Sequence, residues 1–75
     1  MIKTMKLREL VKEFGAGDFF EKVIKWTDDK GIDTVDVLNL ISDSFYNDIH
    51  FKPVDGGIVL FLEGYEIPLD TEKTI

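Results

Sequence analysis

The spacing of apolar residues changes from a helical period to a strand period near residue 49, and this change limits the possible folds most strongly. Upstream, apolar residues recur every three or four positions, whereas Ile49 and Phe51 alternate with His50 and Lys52. A period of about 3.6 predicts amphipathic helices, and a period of two predicts half-buried strands. The sequence therefore predicts an α+β fold in which three N-terminal helices precede a small sheet.

Two of the predicted helices lie before residue 32. The first covers residues 5–14, with Thr4 as its N-cap and Gly15 at its C-terminal end. The second begins with a capping-box-like pair at Asp18 and ends at Gly31. Its apolar residues occupy two adjacent faces, which is typical of a helix that is deeply buried or docked on both sides. They are Phe19, Phe20, Val23, Ile24 and Trp26.

The third predicted helix has the clearest start. Asp33 is its predicted N-cap, and Asp36 lies near the positive end of the helix dipole. Ile32 and Val37 have the spacing of a hydrophobic staple. The helical pattern ends near residues 46–48.

The alternating apolar pattern in the last third of the chain predicts strands. Strands at residues 49–54, 58–63 and 65–69, with a hairpin turn at residues 55–57, give an antiparallel β-meander packed on the helices. In the alternative, residues 49–54 are irregular and only a two-stranded hairpin remains. Residues 70–75 follow no period, and we expect a frayed tail there.

Composition is that of one small folded domain over residues 1–75. The chain is 44% hydrophobic and 12% aromatic, too apolar for a disordered segment. It has no cysteine, which excludes a disulfide framework and thiolate metal ligands. The longest apolar run, residues 58–62, is too short for a membrane span, and the first residues lack a signal-peptide pattern. We therefore expect a cytoplasmic protein without a membrane partner.

Charge is unevenly distributed along the chain. The net charge is −6, but residues 1–14 carry +2, whereas residues 15–75 combine five lysines with thirteen acidic residues. Such a surface repels phosphate, which argues against direct binding of nucleic acid. It favours a basic protein partner instead.

Residues that could support catalysis are few. His50 is the single histidine, Ser42 and Ser44 lack a nucleophile elbow, and residues 15–17 lack the strand and lysine of a phosphate-binding loop. The acidic junction that begins at Asp28 fits no register of a calcium-binding loop. The sequence therefore predicts a protein that is not an enzyme and that has no metal or cofactor.

The first two predicted helices resemble a helix-turn-helix arrangement, with Gly15 at the turn. The part of the second helix that would read DNA, residues 18–26, is mostly apolar, and Lys22 and Lys25 are its only basic residues. A winged-helix-like DNA-associated regulator is therefore a second alternative function rather than the leading one.

An acidic stretch with an adjacent tryptophan is the first candidate partner-binding surface. It consists of Trp26, Asp28, Asp29, Asp33, Asp36, Asp43, Asp48 and Asp55. Our leading hypothesis is a small acidic protein–protein interaction domain whose carboxylates imitate phosphates and bind a basic, nucleic-acid-handling protein. In size and composition the chain is similar to phage- or mobile-element-encoded inhibitors of host proteins. This similarity is one of general type and involves no shared sequence motif. The alternative is that the acids only maintain solubility.

Val59 and Phe61 form the second candidate surface. They point to the opposite side of their predicted strand from Ile58, Leu60 and Leu62. Either the first helix or the tail covers them, or they are an exposed patch for a partner. The corresponding alternative function is a structural or assembly subunit that forms a homo-oligomer or docks through this apolar sheet face.

Overall fold

A computed structural model describes residues 1–70 and shows an α+β fold, as predicted. In chain order its elements are β1 (Lys3–Lys6), α1 (Leu7–Phe14), α2 (Ala16–Lys30), α3 (Thr34–Asp43), β2 (Asp48–Val54), β3 (Gly57–Leu62) and β4 (Tyr65–Asp70). The prediction of two to three strands was wrong, because the described residues contain four. None of the helices in this part of the chain is long and apolar enough to span a membrane.

The four strands form one antiparallel sheet in the order β1-β2-β3-β4. The predicted meander corresponds to β2, β3 and β4, with Phe51 opposite Leu60 and Leu60 opposite Ile67. The alternative of an irregular segment at residues 49–54 was therefore wrong. Asp70, predicted as the first tail residue, ends β4, and the rest of the predicted tail lies outside the described residues.

β1 is the element that the sequence did not predict. It pairs with β2 from Lys3 opposite Phe51 to Lys6 opposite Asp48, and Met5 alone among its residues packs against the core. One inward apolar residue in four gives no strand-like alternation. The prediction that the first helix begins at Met5 was therefore wrong. The strand exists because β2 offers it a free edge.

The start of α1 corrects a second prediction. The prediction of Thr4 as the N-cap was wrong, since α1 begins at Leu7 and has no side-chain cap. Instead, the Leu7 amide donates to the Asn47 carbonyl (3.0 Å) and the Arg8 amide donates to the Phe45 carbonyl (2.8 Å). Backbone carbonyls between α3 and β2 thus satisfy helix-end amides that otherwise need a capping side chain or water.

The start of α2 also differs from the prediction. Gly15 ends α1 and is the N-cap of α2, with φ 101°, and its carbonyl accepts from the Phe19 amide at 2.8 Å. Asp18 therefore lies within the first turn, and the predicted capping box was wrong. A positive φ favours glycine, which allows two helices to meet at one residue.

Two predicted helix ends are confirmed. Gly31 ends α2 in the left-handed conformation, with φ 68° and ψ 27°. The Asp33 carboxylate caps α3 by accepting a hydrogen bond from the Val35 amide at 3.0 Å.

The core lies between the three helices and one face of the sheet. Its buried residues are Leu7, Leu10, Val11, Phe19, Val23, Val37, Ile41, Ile49, Phe51, Leu60, Leu62, Ile67 and Leu69. All helices thus use the same face of the sheet, and the functional surfaces follow from this arrangement.

Candidate protein-interaction surfaces

All seven predicted aspartates are exposed, but they are spread over the fold. They lie at the end of α2 (Asp28, Asp29), at the start of α3 (Asp33, Asp36), at the end of α3 (Asp43), at the start of β2 (Asp48) and in the β2–β3 turn (Asp55). The predicted acidic stretch is therefore several acidic positions rather than one cluster.

Helix geometry places adjacent aspartates on different sides of a helix and aspartates seven residues apart on the same side. Asp28 and Asp29 lie about 100° apart around α2, and Asp29 lines a groove beside Trp26. Asp36 and Asp43 are seven residues apart and share one side of α3 at a spacing of about 11 Å. The most regular pair of carboxylates is thus on α3.

The negative charge of these aspartates is not neutralised by ion pairs within the described residues. A single salt bridge occurs there, between Arg8 and Glu9 at 3.6 Å, and it is exposed and weakly stabilising. None of the seven predicted aspartates forms an ion pair within residues 1–70; Asp33 instead caps α3. Their charge therefore remains free to attract a partner.

A groove of about 450 Å³ brings together three of the predicted residues, Trp26, Asp29 and Asp55. It lies between α2, the β2–β3 turn and the end of β4. Trp26 is half-buried and packs edge-to-face on Tyr65, with ring centroids 6.0 Å apart. Lys22 and Lys25 also line the groove, so its charge is mixed rather than acidic.

Val59 and Phe61 lie on the sheet face that points away from the core. Both are half-buried, and their cross-strand neighbours from β2 are Lys52 and His50. The His50 Nδ1 atom lies 3.1 Å from the Thr4 hydroxyl. The first helix does not cover this open face, because α1 buries its apolar residues in the core on the other side. The tail, the other predicted cover, lies outside the described residues.

Within residues 1–70, no group of three or more histidine, aspartate or glutamate side chains could hold a metal ion. Asp28 and Asp33, at the acidic junction between α2 and α3, therefore belong to no such cluster.

Two exposed apolar residues were missed by the sequence analysis. Ile24 on α2 is 44% exposed and Val35 on α3 is 63% exposed. Their neighbours Thr27 and Thr34 join the two helices, with hydroxyl oxygens 2.6 Å apart. For Ile24 the sequence signal was the second apolar row on α2, which is wider than one buried stripe requires. No such row marks Val35 on α3.

No protein-family model, no curated protein and no solved structure matches this chain.

Proposed function

We propose that this chain is a small acidic interaction domain that binds a basic protein. The observation that carries the proposal is the exposed, unneutralised charge: within residues 1–70 none of the seven aspartates forms an ion pair, and the net charge is −6. Basic groups of a partner can approach these carboxylates without breaking internal ion pairs. Such complementarity increases association rates and selects against acidic partners.

A more specific form of the proposal is that the partner handles nucleic acid and that the domain blocks its basic groove. Asp36 and Asp43 lie about 11 Å apart along one side of α3, with the polar residues Asn39 and Ser42 also exposed on this helix. Carboxylates repeated along one side of a rigid helix can face several basic groups of such a groove at once. This arrangement supports an inhibitor of the phage or mobile-element type that imitates nucleic acid.

Charge reversal on α3 tests the proposal. The tagged domain is used to capture partners from a lysate of the organism that encodes it, and Asp36→Lys/Asp43→Lys is compared with the wild type. The control is Glu13→Lys/Glu66→Lys, which makes the same change in net charge at exposed positions elsewhere. We expect the α3 variant to lose a basic partner that the control retains.

Equal retention by both variants would refute binding through α3, and equal loss would mean that only the net charge matters. Circular dichroism checks that each variant is folded. Asp36→Asn/Asp43→Asn is the second variant, because it removes the charge without placing a lysine at the positive end of the helix. Its binding should also be weaker than that of the wild type.

The open sheet face supports a second candidate, a subunit that assembles through Val59 and Phe61. Association through sheet edges is disfavoured, because β1 is short and contains Lys3 and Lys6, and the other edge strand contains Pro68. Light scattering at high concentration should then show an oligomer that Phe61→Glu dissociates without unfolding. A wild-type monomer would refute self-assembly through this face.

The winged-helix-like alternative finds less support. Its DNA-reading helix would be α2, whose Lys22 and Lys25 line the groove together with Asp29 and Asp55. Carboxylates at this position repel phosphates and oppose the attraction of the lysines. We therefore favour a protein partner.

A further inference from the structure

The helical layer exposes two large apolar side chains among the described residues, Ile24 and Val35. The other large apolar residues that are exposed lie outside the helices: Met1, Ile2, Tyr46 and Val54. Ile24 and Val35 therefore differ from scattered exposed residues, because rigid helices hold both of them.

A hydroxyl contact joins α2 and α3 beside these two residues. The Thr27 hydroxyl donates to the Ile24 carbonyl at 2.8 Å and lies 2.6 Å from the Thr34 hydroxyl. Ile24 is one turn before Thr27, and Val35 follows Thr34 directly. Ile24 and Val35 therefore each lie within one helical turn of this contact, on two helices that touch there.

Acidic groups surround both apolar residues. Glu21 and Asp28 lie three residues before and four residues after Ile24, which places them on the same side of α2. The Asp33 carboxylate accepts a hydrogen bond from the amide of Val35 itself. All three acids are exposed, and within residues 1–70 none forms an ion pair. We name these five residues, Glu21, Ile24, Asp28, Asp33 and Val35, the α2–α3 patch.

We propose that the α2–α3 patch binds a basic amphipathic helix of a protein partner, an inference that depends on the proposed function. Two apolar anchors within an acidic rim are complementary to a helix with leucine-like residues on one side and lysines or arginines beside them. Lys25 does not interrupt the patch, because it lines the groove. The patch supplies the apolar contact that Asp36 and Asp43 lack.

A synthetic peptide tests the patch directly. The probe is a fluorescein-labelled lysine/leucine peptide of about 18 residues, or five turns, with its leucines on one helical face. Its binding is measured by fluorescence anisotropy. Ile24→Ala/Val35→Ala should weaken binding at least about tenfold, because truncated anchors commonly lose this much affinity. The control, Val54→Ala, changes a residue of similar exposure, 43%, outside the patch and should remain within about twofold of the wild type.

The acidic rim is tested with Glu21→Gln/Asp28→Asn, which should weaken binding and reduce its salt dependence. A peptide of the same composition with its leucines scattered around the helix should bind less well than the probe. Equal binding of the two peptides, or an unchanged affinity in Ile24→Ala/Val35→Ala, would overturn the patch. If Asp36→Asn/Asp43→Asn still weakened capture of the basic partner, the proposed function would stand without the α2–α3 patch. If neither pair of changes altered either measurement, both proposals would fail.

Discussion

Gly57 leaves no room for a side chain between β3 and the end of β4, and replacing it should test the sheet register. It is the first residue of β3 and lies opposite Asp70. A Cβ atom on Gly57 would collide with the Leu69 carbonyl oxygen and would lie 3.0 Å from the Asp70 Cα atom. Because these neighbours are backbone atoms, no side-chain rotation can relieve the overlap. The end of β4 would have to move away.

The expected cost of Gly57→Ala follows from the contacts that this movement loosens. Opening the Gly57–Asp70 and Ile58–Leu69 pairs would sacrifice one or two backbone hydrogen bonds, each with a net value of about 1 kcal/mol. Partial exposure of the buried Leu69 adds to this, and we expect a total loss of about 2–3 kcal/mol. A domain of this size is commonly stable by only about 3–5 kcal/mol, so the loss would be large.

Thermal unfolding followed by circular dichroism measures this effect. At about 4–8 °C per kcal/mol, the melting temperature of Gly57→Ala should fall by roughly 10–20 °C. Gly17→Ala is the matched control, because no atom beyond its chain neighbours and the surrounding backbone of α2 lies within 4 Å of the added methyl group, and alanine is favoured in helices. Its melting temperature should be unchanged or slightly higher. If the two variants had the same melting temperature, the overlap between a Cβ atom at position 57 and the β4 backbone would be wrong.

Substitutions test three further local features of the fold. Glu63 has φ 48° in the turn between β3 and β4, so Glu63→Asn, which tolerates this conformation better, should raise the free energy of unfolding by up to about 1 kcal/mol in urea titrations. Thr27→Val removes the buried hydroxyl between α2 and α3 and should lower the free energy of unfolding by about 1 kcal/mol. Adding Thr34→Val to this variant should lower it by less than Thr34→Val does alone, because the two hydroxyls share one contact. Asp33→Ala should lower stability by about 1 kcal/mol through loss of the α3 cap, whereas Asp33→Asn should preserve it; equal melting temperatures for these two would contradict the capping role.

The sequence predicted features of the fold whose causes are local. The left-handed end of α2 at Gly31 and the α3 cap at Asp33 depend on neighbouring residues, and both are confirmed. The features that it missed depend on distant partners. β1 needs the free edge of β2, and the amides at the start of α1 find carbonyls near residues 45–47. No pattern around Thr4 or Met5 contains that information.

The candidate site shows the same division between local pattern and long-range arrangement. Exposure of the aspartates was predictable from their charge, but proximity in the chain did not make them one surface. Asp28 and Asp29 diverge around α2, and the turn carrying Asp55 lines the groove near Trp26. Ile24 was assigned to a buried or docked face because its spacing fits a helix stripe, and only the packing of α2 against its neighbours decides how much of it remains exposed.

The salt dependence of partner capture tests the central claim most directly. The tagged domain is incubated with lysate of its own organism, washed at ionic strengths of about 0.05 M and about 0.5 M, and the retained proteins are identified by mass spectrometry. Screening weakens exposed charge contacts over this range. We expect a basic, nucleic-acid-handling protein that is retained at low salt and released at high salt. A partner that resists salt, or recovery of only further copies of this chain, would contradict an acidic interaction domain and would favour assembly through the open sheet face.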